Sequence, residues 1–170
     1  MKKTAYLSIL VLLVASITSY AAGNANQQPA AFINAVFNHH PPKAKAIWLN
    51  KTLKQQIADI LQHPYRGFRI HYWQQQGKTA WILDEIGKEK PITIGMVIQR
   101  HKITRLRVLA FRESRGWEVK QHFFTSQFNQ MALKKDHQLD TPIDNISGAT
   151  LSVRAITKLA RVALLLDLSI

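Results

Sequence analysis

Between Phe68 and Arg112 the chain reads as strands: stretches in which apolar and polar side chains alternate, separated by turn residues. That pattern restricts the fold more than any other feature of the chain. Ile92, Ile94, Met96 and Ile98 alternate with Thr93, Gly95 and Val97, a period of two that lines one strand face with apolar groups. Phe68 to Trp73 and Thr79 to Leu83 flank Gln76-Gly77-Lys78, which is a hairpin signal. Arg100-His101-Lys102 makes a further turn. Beyond it, Leu106, Val108 and Ala110 fall on one face of a strand from Ile103 to Arg112, with Arg105 and Arg107 on the other. The expectation is an antiparallel sheet with one basic, partly wet face.

Helices flank this sheet. A short one is expected over Ala31 to Phe37, stopped by His39-His40-Pro41-Pro42. A second is expected from Lys51 to Gln62, with Leu53, Ile57, Ile60 and Leu61 on one face and His63-Pro64 as its stop. A long C-terminal helix is expected to begin at Ser147 and run to about Leu168. Ile156, Leu159, Ala160, Ala163 and Leu166 would face the core, and Arg154, Lys158 and Arg161 would line the opposite side. Phe123, Phe124, Phe128 and Met131 are expected to cover the sheet. The fold class is therefore α+β: a small antiparallel sheet packed with a long C-terminal helix, plus an N-terminal helical segment. The adjacent His39 and His40 diverge from one another and have no third ligand nearby in sequence, so no metal site is expected.

The first residues carry a different signal. Met1-Lys2-Lys3 is a positive start, Ala5 to Ile17 is almost unbroken apolar, and Ser19-Tyr20-Ala21 is a small-x-small cleavage site. Together they read as a secretory signal peptide over residues 1–21, the other reading being an uncleaved anchor. A helical extension would then occupy 22–66 and the functional domain 67–170. There is no cysteine, which removes disulfides, iron–sulfur clusters, thiolate zinc sites and cysteine nucleophiles. Losing Lys2 and Lys3 with the leader takes the 23 basic residues to 21 against 10 acidic ones, a formal +11. Such an excess favours anionic partners; for an exported protein these are phosphate groups or a membrane surface rather than nucleic acid.

Asp144-Asn145-Ile146-Ser147-Gly148-Ala149-Thr150 stands where the last loop meets the last helix. Ser147 reads as an N-cap, Gly148 and Ala149 as small residues at a helix start, and Thr150 as a first-turn residue. Unpaired N–H groups and the positive dipole end favour an anion there, and the small residues let a phosphate approach the backbone. Arg154 lies one turn further on, on the same side as Thr150. A plain helix start and an anion site fit these residues equally well.

Ser-Gly-Ala-Thr with an Asp three residues before the Ser resembles the flavinylation motif of FMN-binding domain proteins. Among these are the C subunit of the sodium-translocating NADH:quinone reductase and the G subunit of the Rnf complex. The resemblance covers roughly Trp81 to Leu166. It includes a second segment after the hairpin, Arg112-Glu113-Ser114-Arg115-Gly116-Trp117, similar to the family's Glu-containing loop. The redox-complex subunits carry a Glu-Thr-Pro-Gly version of that loop, which is absent here, so the resemblance is closest to small stand-alone exported proteins.

The resemblance implies FMN as cofactor, joined through its phosphate to Thr150 by a flavin transferase that takes FAD as donor. It implies a site comprising Thr150, Ser147, Gly148, Ala149, Asp144, Glu113, Arg115 and Arg154. Arg115 or Arg154 would stabilise the phosphate or a reduced flavin, and Glu113 would order its loop. The expected function is electron transfer between redox partners in the cell envelope or periplasm, one of them at the membrane. A flavin-dependent reductase of a small substrate and a non-redox module for polyanions or membranes are the alternatives. No nicotinamide fingerprint, Ser/His/Asp series or metal cluster favours a self-contained enzyme.

Overall fold

A computed structural model of the chain describes residues 24–170; the expected leader and cleavage site lie outside the described residues. Helix α1 (Asn24–Val36) is followed by strand β1 (Lys45–Trp48), helix α2 (Lys51–Leu61) and strands β2 (Arg69–Gln75), β3 (Lys78–Ile86), β4 (Pro91–Gln99) and β5 (Lys102–Phe111). Short helical turns follow, α3 (His122–Thr125) among them, and helix α4 (Thr150–Asp167) ends the fold. The strands form one antiparallel sheet in sequential order, β1-β2-β3-β4-β5. The α+β expectation holds.

The sheet is covered on both faces. On one side α2 and α4 enclose the main core, in which Ile57, Trp81, Ile92, Ile94, Met96, Ile98, Phe124, Phe128 and Ile156 are almost fully excluded from water. Full burial of each such side chain stabilises by about 1.5–3 kcal/mol. Trp81 stacks on Tyr72 with ring centroids 4.9 Å apart, and its indole N–H donates to Thr79 Oγ1 at 3.0 Å.

On the other side α1 lays Phe32, Ile33, Val36 and Phe37 over Ala80, Val97 and Leu109. Gly95 makes room for it: a Cβ there would come within 2.7 Å of the Phe32 ring. The face read as basic and partly wet is thus roofed by α1 in part. Arg105 and Arg107, which pair across with Val97 and Gly95, remain exposed beside that roof.

Four expectations change. First, α1 starts at Asn24 rather than Ala31, although Pro29 lies within it; the small residues before Ala31 carry no periodic signal. Second, residues 45–48, within the expected helical extension, form a strand paired with β2, and Ile47 joins the main core. Third, Phe123 is exposed while Phe124, Phe128 and Met131 are buried.

Fourth, α4 begins at Thr150, not Ser147, and Ala149 is its N-cap with no side-chain cap bond. The reason is local. Gly148 takes φ +81°, and the Ala149 N–H closes a turn onto the Ile146 carbonyl at 2.9 Å, so Ser147 stands before the N-cap Ala149 and too early to cap. The basic side of α4 is also more than a solvated stripe. Lys158 Nζ donates to the Leu61 carbonyl at 2.7 Å and Arg161 Nε to the His137 carbonyl at 2.5 Å, tying α2 and the preceding loop to the helix.

Candidate functional site

Two segments remote in sequence meet at the start of α4. The loop after β5 brings Glu113, Ser114 and Arg115, and the helix start brings Gly148, Ala149, Thr150, Leu151 and Ser152. With Lys88 they line an open cleft of about 610 Å³. The two segments touch through their smallest residues. Gly116 has φ +85°, and a Cβ on it would stand 3.0 Å from the Ala149 Cβ. Gly116 thus needs to be glycine both for its left-handed backbone and for the close approach. Ala149 is buried in that contact, where it packs the loop against the helix, and it also lines the cleft.

Gly148 leaves open space: nothing lies within 4 Å of where its Cβ would be. The first intrahelical bond runs from the Val153 N–H to the Ala149 carbonyl at 3.0 Å. The N–H groups of Thr150, Leu151 and Ser152 therefore have no acceptor within the helix. The Thr150 side chain is exposed, and its Oγ1 accepts a hydrogen bond from Asn145 Nδ2 at 3.0 Å.

Glu113 has a structural task that can be read atom by atom. Its Oε1 accepts the backbone N–H groups of Lys88 at 2.6 Å, Glu89 at 2.8 Å and Lys90 at 3.0 Å, which fixes the β3–β4 turn beside the cleft. Those bonds, Lys90 and Glu89 foremost, hold its carboxyl below the ordinary 4.5. A carboxyl depressed in the folded state adds stability that is full above the unfolded value and is lost as pH falls through the folded one. The amide resonances of Lys88, Glu89 and Lys90 are accordingly expected to titrate together with a midpoint under 4.5, and to lose that titration in Glu113→Ala. A midpoint at 4.5 or above, or separate midpoints for the three amides, would refute this role.

The cleft brings together five of the residues expected from the sequence: Thr150, Gly148, Ala149, Glu113 and Arg115. Ser147, Asp144 and Arg154 do not line it. Ser147 is exposed on the turn before the helix, and Arg154 points to solvent with no ion-pair partner among the described residues. Asp144 is held through its backbone, whose N–H donates to Gln127 Oε1 at 2.8 Å. Lys88 and Asn145 were not among the expected residues. Lys88 sits in a turn far from the motif in sequence; Asn145 lies inside the motif, five residues before the hydroxyl that it contacts. Among the described residues no three His, Asp or Glu side chains converge as a metal would require.

Residues 87–165 match the family model of the FMN-binding domain, a span that takes in both halves of the cleft. The match supports a flavin-binding protein and indicates FMN as its cofactor. No curated protein matches the chain. The residues present fit a phosphate-bearing group. Three backbone N–H groups at a helix start, an unfilled space at Gly148 and the cationic Lys88 and Arg115 belong to the same cleft as the Thr150 side chain. When bound there, FMN supplies one- and two-electron transfer, while the protein supplies position and electrostatics.

Proposed function

We propose that this chain is an exported flavoprotein whose FMN is joined by a phosphoester to Thr150 and which passes electrons between redox partners of the cell envelope. The observation that carries this reading is the exposed Thr150 hydroxyl, set on the first residue of α4 in a cleft whose cationic groups and free backbone donors suit a phosphate. In the attachment step a flavin transferase binds FAD, and Thr150 Oγ1 attacks the flavin-side phosphorus of the pyrophosphate. The Oγ1–P bond forms, the P–O bond to the adenylate breaks, AMP leaves and the hydroxyl proton passes to a base of the transferase. No oxidation or reduction is involved. Asn145 positions the nucleophile by engaging one lone pair of Oγ1.

A phosphoester keeps the flavin with a protein that works where no cytosolic pool replaces it. Thr150 serves there as a tether, and Lys88 and Arg115 neutralise the charge of the group that it holds. Export follows from the positive start, apolar run and small-x-small site at residues 1–21, and envelope protein is expected to begin at Ala22 on N-terminal sequencing. A start at Met1 with retention in the membrane would mean an anchor. Among the described residues no helix is long and apolar enough to cross a membrane.

The experiment for the attachment is the intact mass of the protein made with and without a flavin transferase. A mass increase of one FMN unit, dependent on the transferase and located on the tryptic peptide that ends at Arg154, is the expected result. An unmodified peptide from cells with an active transferase would reject covalent attachment, and failure to bind free FMN as well would reject the flavin function.

A further inference from the structure

A second concave surface, separate from the flavin cleft, lies along the outer edge of the sheet. It is a groove of about 650 Å³ lined by Thr104, Arg105, Leu106, Arg107 and Val108 on one wall and by Lys120, His122, Thr125, Ser126 and Asn129 on the other. The first wall is five consecutive residues of β5, the last strand in the sheet order, so its wall is a strand edge rather than one strand face. Backbone pairing on that edge ends at Ile103, which exchanges hydrogen bonds with Met131 and Gln130 at 2.9 and 2.7 Å. Among the described residues no backbone hydrogen bond joins Thr104–Val108 to the wall opposite. The segment 117–128 packs beside β5 without pairing to it, and an unpaired strand edge in a groove is a template for one more strand.

The charge is one-sided. Arg105, Arg107, Lys120 and His122 are exposed, and among the described residues none has an ion-pair or hydrogen-bond partner for its side chain; no carboxylate lines the groove. The three hydroxyls donate to main-chain carbonyls: Thr104 to Val97, Thr125 to Gln121 and Ser126 to Phe123. They are therefore not gathered around a single anion. Arg105 and Arg107 instead project from the same face of a strand, about 7 Å apart along it. That spacing matches alternate side chains of an extended segment.

We infer that the β5 edge, with Arg105 and Arg107, is a docking groove for an extended acidic segment of a partner protein, carrying carboxylates at alternate positions. The groove also shares a support with the flavin site. Ser126 lines the groove, and the next residue, Gln127, holds the backbone of Asp144 in the loop that leads to Thr150. The groove and the flavin cleft share no lining residue. The docking surface stands on its own observations and does not need the covalent link.

The test uses the flavin-loaded protein and a fluorescent heptapeptide alternating Glu with Val and Thr, followed by anisotropy at low and physiological salt. A peptide of the same composition with its Glu residues consecutive, inorganic phosphate and anionic phospholipid vesicles serve as competitors. The alternating peptide is expected to bind at least tenfold more tightly than the consecutive one. Arg105→Glu with Arg107→Glu should weaken it at least tenfold while leaving flavin content unchanged. Arg105→Gln with Arg107→Gln should weaken it severalfold and covers the case in which charge reversal prevents folding. Thr150→Val protein should bind the peptide as wild type does, which separates this groove from the flavin reading. Equal binding of both peptides, displacement by phosphate below millimolar concentration, preferential binding to vesicles, or indifference to both arginine pairs would each overturn the assignment.

Discussion

Thr150→Val protein, made beside an active flavin transferase, is expected to show no in-gel flavin fluorescence and an unmodified peptide ending at Arg154. Its unfolding curve should match wild type to within about 1.5 kcal/mol. Valine keeps the β-branched shape and loses only the hydroxyl, hence the nucleophile. The fold should tolerate the change because the side chain is exposed at the first residue of α4 and its one internal contact is the exposed hydrogen bond from Asn145. Loss of such a bond costs about 0.5–1.5 kcal/mol at most. Thr150→Ser retains the hydroxyl and should retain modification, whereas Asn145→Ala should slow modification without abolishing it. Flavin still covalently bound in Thr150→Val would move the attachment to another residue. Unfolding of Thr150→Val would show instead that the side chain is structural.

Asp167→Ala is expected to cost about 2–3 kcal/mol of stability, or roughly 5–10 °C in Tm for a domain of this size. The carboxylate is almost wholly buried at the far end of α4. Its Oδ1 accepts from the Thr79 hydroxyl at 2.5 Å and its Oδ2 lies 2.9 Å from His101 Nδ1 in the β4–β5 turn. Thr79 in turn accepts from the Trp81 indole at the centre of the core. Alanine removes the acceptor and leaves the buried Thr79 hydroxyl with only a 3.5 Å contact to the Ile98 carbonyl. Asp167→Asn keeps an amide oxygen for one of the two bonds and should cost less. Denaturant unfolding at constant m-value is the measurement, and a change under 1 kcal/mol would mean that water replaces the carboxylate.

Strands β2 to β5 are legible because each is a run of apolar and β-forming residues bounded by turn signals, with a period of two plainest in β4, and Gln76-Gly77 marks the turn between the first pair. β1 is not. It has four residues, of which only Ile47 is buried, and it exists through its pairing with β2. The α4 start is not legible because Ser147 has the chemistry of a cap, while the positive φ of Gly148 that places it outside the helix is a conformational property. In the site, Thr150 and Glu113 could be named from local motifs. Lys88 could not, because only the folded turn after β3 carries it to the cleft. The contact of Ala149 with Gly116 is not legible either, because no sequence spacing reveals that neighbour.

Helix α4 carries Thr150 at one end and Asp167 at the other, a helix of 18 residues counting both, or about 27 Å. The far end is pinned to the sheet by Thr79 and to a turn by His101, and the middle is held by Lys158 and Arg161. A prosthetic group joined to Thr150 would therefore stand on a fixed post and not on a swinging arm. It could not be carried from donor to acceptor as a lipoyl or biotinyl group is; each partner would have to come to it in turn. Turnover in such a protein would be paced by encounter and departure, so it should rise with partner concentration and fall with added salt, even though nothing in the flavin's own surroundings had changed.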